Sequence, residues 1–243
     1  MTRRSEPPDA VVRYAAHDDG LVDVHLPART DRPLPLVVYV HGGFWRREYD
    51  RTHARPLANA LAESGTAVAL PEYRRGPGSW RDTLADLTAV MTALPEMSSG
   101  LGLETSSTTL VGHSAGGHLV LWLANEPYDL HRTVALAPVG NLRKAVEWGM
   151  GSGAAVDWLG GTPDQLPEVY DAVDSATRMR TRPTADVLVV HGDQDDAVPV
   201  QSSRGLKGRF DWIDYRELAG VDHFDVIDPL SSAWPTVRGA IGP

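Results

Sequence analysis

The sequence predicts an α/β protein with a mostly parallel central sheet of about eight strands and helices on both faces. The apolar run Leu36-Val37-Val38-Tyr39-Val40 is continuous rather than alternating, as strands buried on both faces are, and residues 185–190 resume the apolar strand pattern. Between them lie longer stretches with apolar residues at helical spacing. Strand and helix therefore alternate along most of the chain, the order that parallel pairing through crossover connections requires. With 243 residues and 42% hydrophobic content, the chain has enough for one well-buried core and is short for two, so a single domain over 1–243 is expected.

Residues 1–10 are polar and proline-bearing and read as a loose tail. Strands are expected at 11–16 and 21–26, joined by the turn His17-Asp18-Asp19-Gly20 as an antiparallel edge. A proline-punctuated loop, 27–35, leads into the strand that stops at His41-Gly42-Gly43. Residues 53–64 carry Leu57, Ala58, Leu61 and Ala62 at helical spacing, with Gly65 at the C-terminal cap, and 66–70 form the next strand. Residues 80–94 place Leu84, Leu87, Val90, Met91 and Leu94 on one helical face, and Pro95 is expected to stop that helix. A strand at 108–111, a helix at 115–125 and a strand at 133–137 follow.

The rhythm breaks at 141–183, where Trp148, Trp158 and several glycines lie among short helical fragments. This stretch is expected to be an insertion over one end of the sheet, a lid or pocket wall on the functional reading and a long connection on the other. A strand at 185–190, a helix at 200–207, a strand at 212–218 and a closing helix at 231–241, with Pro235 either in its first turn or kinking it, complete the chain.

Composition removes several classes of function. The 23 Lys and Arg against 32 Asp and Glu leave a net charge of -9, unsuited to phosphate backbones or anionic membranes, so neither nucleic acid nor a membrane is expected as a partner. The absence of cysteine removes disulfides, thiolate metal sites and a cysteine nucleophile. Arg3 and Arg4 are followed by no apolar core of signal-peptide length, and no run is long enough to span a bilayer, so a cytoplasmic location is the default. Nothing in the sequence points to a homo-oligomer.

The chemistry centres on Gly112-His113-Ser114-Ala115-Gly116, directly after an apolar strand. A serine between two glycines at a strand-to-helix junction sits on a strained turn with its hydroxyl in the open, which makes Ser114 the candidate nucleophile. A serine hydroxyl needs a base, and the base needs a carboxylate to orient it. Asp193, Asp195 and Asp196 all follow the 185–190 strand, at the sheet end where active sites collect. The stretch from His191 to Pro199 resembles the His-Gly-x-x-Asp-x-x-Val-Pro pattern of serine-hydrolase acid loops, which selects Asp195 as the acid. Asp193 and Asp196 are left to cap the following helix or bond local amides.

Of nine histidines, His223 lies past the final strand in the order serine, acid, histidine, and is the candidate base. His191 is expected to brace the acid loop. His113 and His118 flank the serine, His41 belongs to a glycine loop, and His17, His25, His53 and His131 are expected in turns or on amphipathic edges as solvated imidazoles. The oxyanion donors are expected from the amides of Ala115, Gly42 and Gly43, the two glycines following a strand end where no side chain blocks them.

With these residues in place the chain resembles the α/β-hydrolase fold over nearly its whole length. His41-Gly42-Gly43-Phe44-Trp45 is similar to the His-Gly-Gly-x-Trp motif of kynurenine formamidases, relatives of hormone-sensitive-lipase-type esterases, and Asp222-His223-Phe224-Asp225-Val226-Ile227 is similar to their histidine segment. Pro71-Glu72-Tyr73-Arg74 looks like the Tyr-Arg segment of the same clan, whose arginine is structural. The resemblance implies hydrolysis of N-formyl-L-kynurenine to L-kynurenine and formate, a step of tryptophan catabolism, without metal or organic cofactor. An aryl leaving group calls for aromatic walls, for which Phe44, Trp45, Trp148 and Trp158 are the candidates. A short-chain carboxylesterase, a peptidase of the prolyl-oligopeptidase type and a catalytically silent binding protein are the competing readings. The expected partner is a small acyl amide or ester.

Overall fold

A computed structural model of the chain describes residues 5–28, 34–179 and 181–242, the Ser107 side chain apart. Among the described residues eight strands form one sheet: β1 (Ala10–Arg13), β2 (Leu21–His25), β3 (Leu34–Val40), β4 (Ala67–Pro71), β5 (Leu103–His113), β6 (Arg132–Leu136), β7 (Asp186–Gly192) and β8 (Asp214–Leu218). Their order is β1-β2-β4-β3-β5-β6-β7-β8. The β1–β2 and β2–β4 pairs are antiparallel and every other pair is parallel. The mostly parallel sheet with an antiparallel edge is thus as the sequence implies. Because β3 and β5 are neighbours in parallel, the chain leaves Val40 and Gly112 side by side. This adjacency brings the glycine loop to the serine.

The continuous apolar runs become intelligible from how they divide. In β3, Leu36, Val38 and Val40 enter one core while Val37 and Tyr39 enter the other. In β7, Val187 and Val189 face the first and Leu188 and Val190 the second. Each buried side chain of this size contributes about 1.5–3 kcal/mol, so a polar substitution is costly at every position of such a strand. Helix α1 (Arg55–Glu63) covers the second face through Leu57, Ala58 and Leu61. Helices α2 (Trp80–Ser99) and α3 (Ala115–Leu123) cover the first. Downstream come α4 (Leu142–Glu147), α5 (Ala154–Leu159), α6 (Pro167–Val173), α7 (Ser175–Arg178), α8 (Gln201–Arg209) and α9 (Trp234–Ile241). Leu206 of α8 joins the first core and Val237, Ala240 and Ile241 of α9 join the second, so both faces of the sheet are clad in helices. No helix among the described residues is long and apolar enough to cross a membrane.

Three expectations are corrected. The tail does not run to residue 10: Asp9 donates its N–H to the Val24 carbonyl at 2.9 Å, its carboxylate accepts the Leu26 N–H at 2.7 Å, and Ala10 opens β1. Residues 1–4 of that tail, and 29–33 of the proline loop, lie outside the described residues. Helix α2 passes through Pro95 and ends at Ser99. Pro95 is on the exposed side, while Met97 and Ser98, beyond the stripe that ends at Leu94, still turn inward, so packing carries the helix past the missing N–H. Residues 141–183 form α4 to α7, whose Leu142, Ala155, Trp158, Leu159 and Tyr170 belong to the first core. They pack as structure rather than standing over the sheet as a free flap.

Pro95 leaves the Met91 carbonyl without its helical donor. Pro95→Ala is therefore expected to stabilise the fold by about 1–2 kcal/mol in urea unfolding; an unchanged midpoint would mean the last turn of α2 is not helical in solution.

Candidate active site

Ser114 connects β5 directly to α3, with φ 57° and ψ -118°. A non-glycine residue there carries strain of about 1–3 kcal/mol that its surroundings must hold. They do so on both sides: Ser114 donates its N–H to the Leu136 carbonyl at 2.9 Å, and its own carbonyl accepts from His118 at 3.1 Å and Val139 at 3.2 Å. The flanking glycines are steric requirements. A Cβ on Gly112 would lie 2.2 Å from the Gly116 carbonyl oxygen, and one on Gly116 would lie 2.1 Å from that of Val40. Strand, helix and the neighbouring β3 touch backbone to backbone around the serine.

The acid loop leaves β7, and the base loop follows β8. A Cβ at Gly192 would stand 2.0 Å from the Val221 carbonyl oxygen, so this glycine lets the two loops meet. His223 Nδ1 donates to Asp195 Oδ2 at 2.7 Å. The same oxygen accepts from His191 Nε2 at 3.0 Å, while Asp195 Oδ1 accepts the Ala197 and Val198 amides at 3.0 and 2.7 Å. Burial alone would raise this carboxyl, but the bonds from His191 and His223, with the Val198 amide, outweigh it and hold it well below the usual carboxylate range. Asp195 is thus a fixed anion behind His223. Asp193 instead accepts the Gly220 amide at 2.7 Å, so it ties its loop to the one after β8 rather than bonding backbone amides of its own loop.

His113 is more than a flanking residue. Its Nε2 donates to the His223 backbone carbonyl at 2.9 Å, with the two ring centroids 4.5 Å apart. Complete burial and repulsion from His223 push its imidazole well below its ordinary value, so it is a neutral ring that anchors the backbone at His223. His191 braces the acid loop as expected, bonding Asp195, the Val198 carbonyl at 3.0 Å and Ser203 Oγ at 2.6 Å.

The glycine loop is set by a buried ionic cluster. His41 Nε2 donates to Glu72 at 2.9 Å and its Nδ1 to the Gly42 carbonyl at 2.7 Å; Tyr73 stacks on its ring and donates to its carbonyl at 2.8 Å. Burial would raise the Glu72 carboxyl, but His41, then Arg75 and the Arg51 amide, pull it down to about 2. So held, Gly42 abuts the elbow: a Cβ there would lie 3.0 Å from that of Ser114. Gly43 at φ 112°, Phe44 at 51° and Trp45 at 54° then turn the chain through the left-handed region. Among the described residues the amides of Gly42, Gly43, Phe44 and Ala115 bond no protein acceptor, leaving donors free beside the serine.

Ser114 and His223 line one cavity of about 330 Å³ together with Gly43, Phe44, Tyr49, His53, Pro56, His113, Ala197, Phe224 and Ile227. They share no direct hydrogen bond among the described residues; in unliganded sites that contact is often long and tightens with substrate. Of the four aromatic walls expected, only Phe44 is in place. Trp45 and Trp158 are 2% and 1% exposed and stack on each other at 4.7 Å, a core pair, and Trp148 lines a separate hollow with Lys144 and Arg209. Nor do the described residues of 141–183 supply any lining residue. Its Gly151 instead backs the Phe44 ring and accepts a bond from Arg46, so the insertion buttresses the loop that forms the wall. Tyr49, His53, Pro56, Phe224 and Ile227 were the walls that pattern reasoning missed, although Phe224 adjoins the candidate base. His25 and His53 are not solvated imidazoles either: His25 is buried against Asn59 and His53 lines the cavity. Among the described residues no three His, Cys, Asp or Glu are grouped to hold a metal ion.

The lowered Asp195 carboxyl has a pH consequence. Its folded value lies below the unfolded one of about 3.9, so its contribution to stability is fully present above that value and is lost as pH falls through the folded one. The stability gap between wild type and Asp195→Asn, read by denaturant unfolding, should be flat from about pH 5 to 7 and shrink at lower pH. A gap that widened on acidification would contradict the assigned charge.

A family model described as BD-FAE matches residues 22–133, less than half of the chain. The kynurenine formamidase of Drosophila melanogaster is 26% identical over 227 residues, covering 86% of this chain and 72% of that protein. Esterase LipC of Mycobacterium tuberculosis is also 26% identical over 227 residues, covering 81% of this chain but 55% of LipC, so the chain spans little more than half of that relative. Among solved structures, a truncated carbohydrate esterase from gut microbiota superposes with a TM-score of 0.83 at 16% identity, covering 96% of this chain and 97% of that one. Esterase B of Lactobacillus rhamnosis gives 0.81 at 20%, covering 97% and 84%. The chain has the α/β-hydrolase fold and is a serine hydrolase of that fold, similar to the esterases and kynurenine formamidases that it matches.

Proposed function

We propose that Ser114, His223 and Asp195 are the nucleophile, base and acid of a two-step acyl transfer, and that the acyl group is small and carried on an aromatic leaving group. The observation that carries this reading is the cavity itself, where Ser114 and His223 meet aromatic walls from Phe44, Tyr49 and Phe224. Ser114 Oγ attacks the acyl carbon as His223 takes its proton. The oxyanion rests on the Gly43 and Ala115 amides, with Gly42 or Phe44 contributing, and Asp195 stabilises the imidazolium. The bond to the leaving nitrogen or oxygen breaks as that atom takes the proton from His223. Water then attacks the acyl-serine, His223 accepts its proton, and the acid leaves with Ser114 restored.

N-Formyl-L-kynurenine is the substrate this reading favours, with L-kynurenine and formate as products in tryptophan catabolism. Formyl is the smallest acyl group, its aryl partner suits the aromatic walls, and formamidases stand among the curated relatives. A second reading, a short-chain carboxylesterase, is favoured by one feature: among the described residues no Lys, Arg, Asp or Glu lines the cavity to meet the amino-acid end of kynurenine.

Ser114→Ala should abolish turnover, by about 10⁶-fold, while leaving the melting transition of a folded protein; comparable activity in that variant would sink the nucleophile assignment. Rates on N-formyl-L-kynurenine and on nitrophenyl acetate and butyrate, measured side by side, decide between the substrates. The formamidase reading fails if formyl-kynurenine is turned over no faster than the simple esters.

A further inference from the structure

His53 stands in the wall of the catalytic cavity and has no part in the proton transfers above. It lies in a single turn of 3-10 helix, Arg51–Ala54, capped by the Asp50 side chain. Its Nδ1 is 2.5 Å from the Asp50 carbonyl oxygen, an atom that only accepts, so the ring proton is on Nδ1. The ring meets His41 edge-on, with centroids 5.5 Å apart and planes at 89°. Burial, then repulsion from His41, pulls the imidazole down to about 4, which leaves it neutral near pH 7.

In that tautomer Nε2 presents a lone pair. Among the described residues it bonds no protein donor, and it is not among the sealed-off polar atoms, unlike His25 Nε2 and His118 Nδ1, so it is open to what enters the cavity. Of the other imidazoles nearby, His41 has both nitrogens committed, to Glu72 and Gly42, and His191 bonds Asp195 and Ser203; His113 donates from Nε2 to the His223 carbonyl, while its Nδ1 lies against Gly42, where a Cβ would come within 3.2 Å of it. Phe44, Pro56, Ala197, Phe224 and Ile227 supply apolar wall. The cavity that Ser114 lines therefore also holds a neutral acceptor, among apolar walls where an acceptor left unmet is unfavourable.

We propose that His53 is a specificity-determining residue whose Nε2 accepts a hydrogen bond from an amide N–H next to the scissile carbonyl, so that the site favours secondary amides over esters. The proposal rests on the acyl-transfer reading of Ser114. An ester oxygen at the same place has no hydrogen to give and leaves Nε2 unmet. The amide N–H is not consumed: the amine departs with that hydrogen and the one delivered by His223, while the acyl group stays on Ser114. A site built around one hydrogen bond discriminates against the partner that lacks it, because its own polar group is then left unpaired.

The test compares p-nitroformanilide with p-nitrophenyl formate, which differ in N–H against O. His53→Leu should lower the amide-to-ester ratio of kcat/KM about tenfold, and His53→Gln, which keeps an acceptor oxygen, should recover part of it. A ratio unchanged in His53→Leu, or as low in His53→Gln, overturns the proposal. Binding of formanilide and phenyl acetate to Ser114→Ala, followed calorimetrically with and without His53→Leu, reads the same contact without chemistry. If neither substrate is turned over by the wild type, the acyl-transfer reading fails, and the binding comparison still decides His53: a tenfold loss confined to formanilide supports it, and an equal loss on both ligands rejects it.

Discussion

Around Ser114 three backbone segments come together at distances that no side chain permits. With a Cβ on Gly112 or Gly116 placed at 2.2 or 2.1 Å from a carbonyl oxygen, even alanine would push β5, α3 and β3 apart. The strained Ser114 conformation survives because β6 accepts its amide at Leu136, while its carbonyl accepts from His118 of α3 and from Val139 just past β6. Everything else in the site is referred to this contact. The Gly42 loop reaches the serine because β3 is the neighbour of β5, and the acid and base loops reach it because β7 and β8 continue the same parallel sheet. The core thus stabilises a turn that would be unfavourable in isolation.

Electrostatics then divides similar residues into different roles. His113, wholly buried beside His223, is held neutral and serves as a donor to a backbone carbonyl. His223 faces a carboxylate that four donors keep ionised, the setting in which an imidazole can take and return a proton. Glu72, also buried, is compensated by His41 and Arg75 and orients a loop rather than a proton. Two carboxylates and several histidines within one neighbourhood do not compete, because each has its partners fixed by the backbone.

Much of this was legible in the sequence. Strand and helix alternation gave the sheet, and the spacing of Ser114, Asp195 and His223 relative to the strand ends named residues that the fold brings to one cavity or directly behind it. Glycines were readable because their reason is local and steric. The cavity walls were not. Trp45, Trp148 and Trp158 carry an aromatic signal, but whether an indole lines a pocket or a core depends on which way a turn directs it, and Trp45 and Trp158 stack inward. His53 and Tyr49 enter the wall through a loop and a single helical turn, which have no periodicity to read. Helix α2 shows the converse: Pro95 is a strong local stop, overridden by Met97 and other side chains packing further along. Propensity decided the elements, and tertiary packing decided their ends and the directions of their side chains.

The central claim, that the strained serine is the reactive nucleophile, is tested most directly by treating the folded protein with a fluorophosphonate and mapping the adduct by peptide mass spectrometry. One adduct per chain on Ser114, absent after prior denaturation, is the expected result. No adduct on the folded protein, or an adduct on another serine, would contradict it.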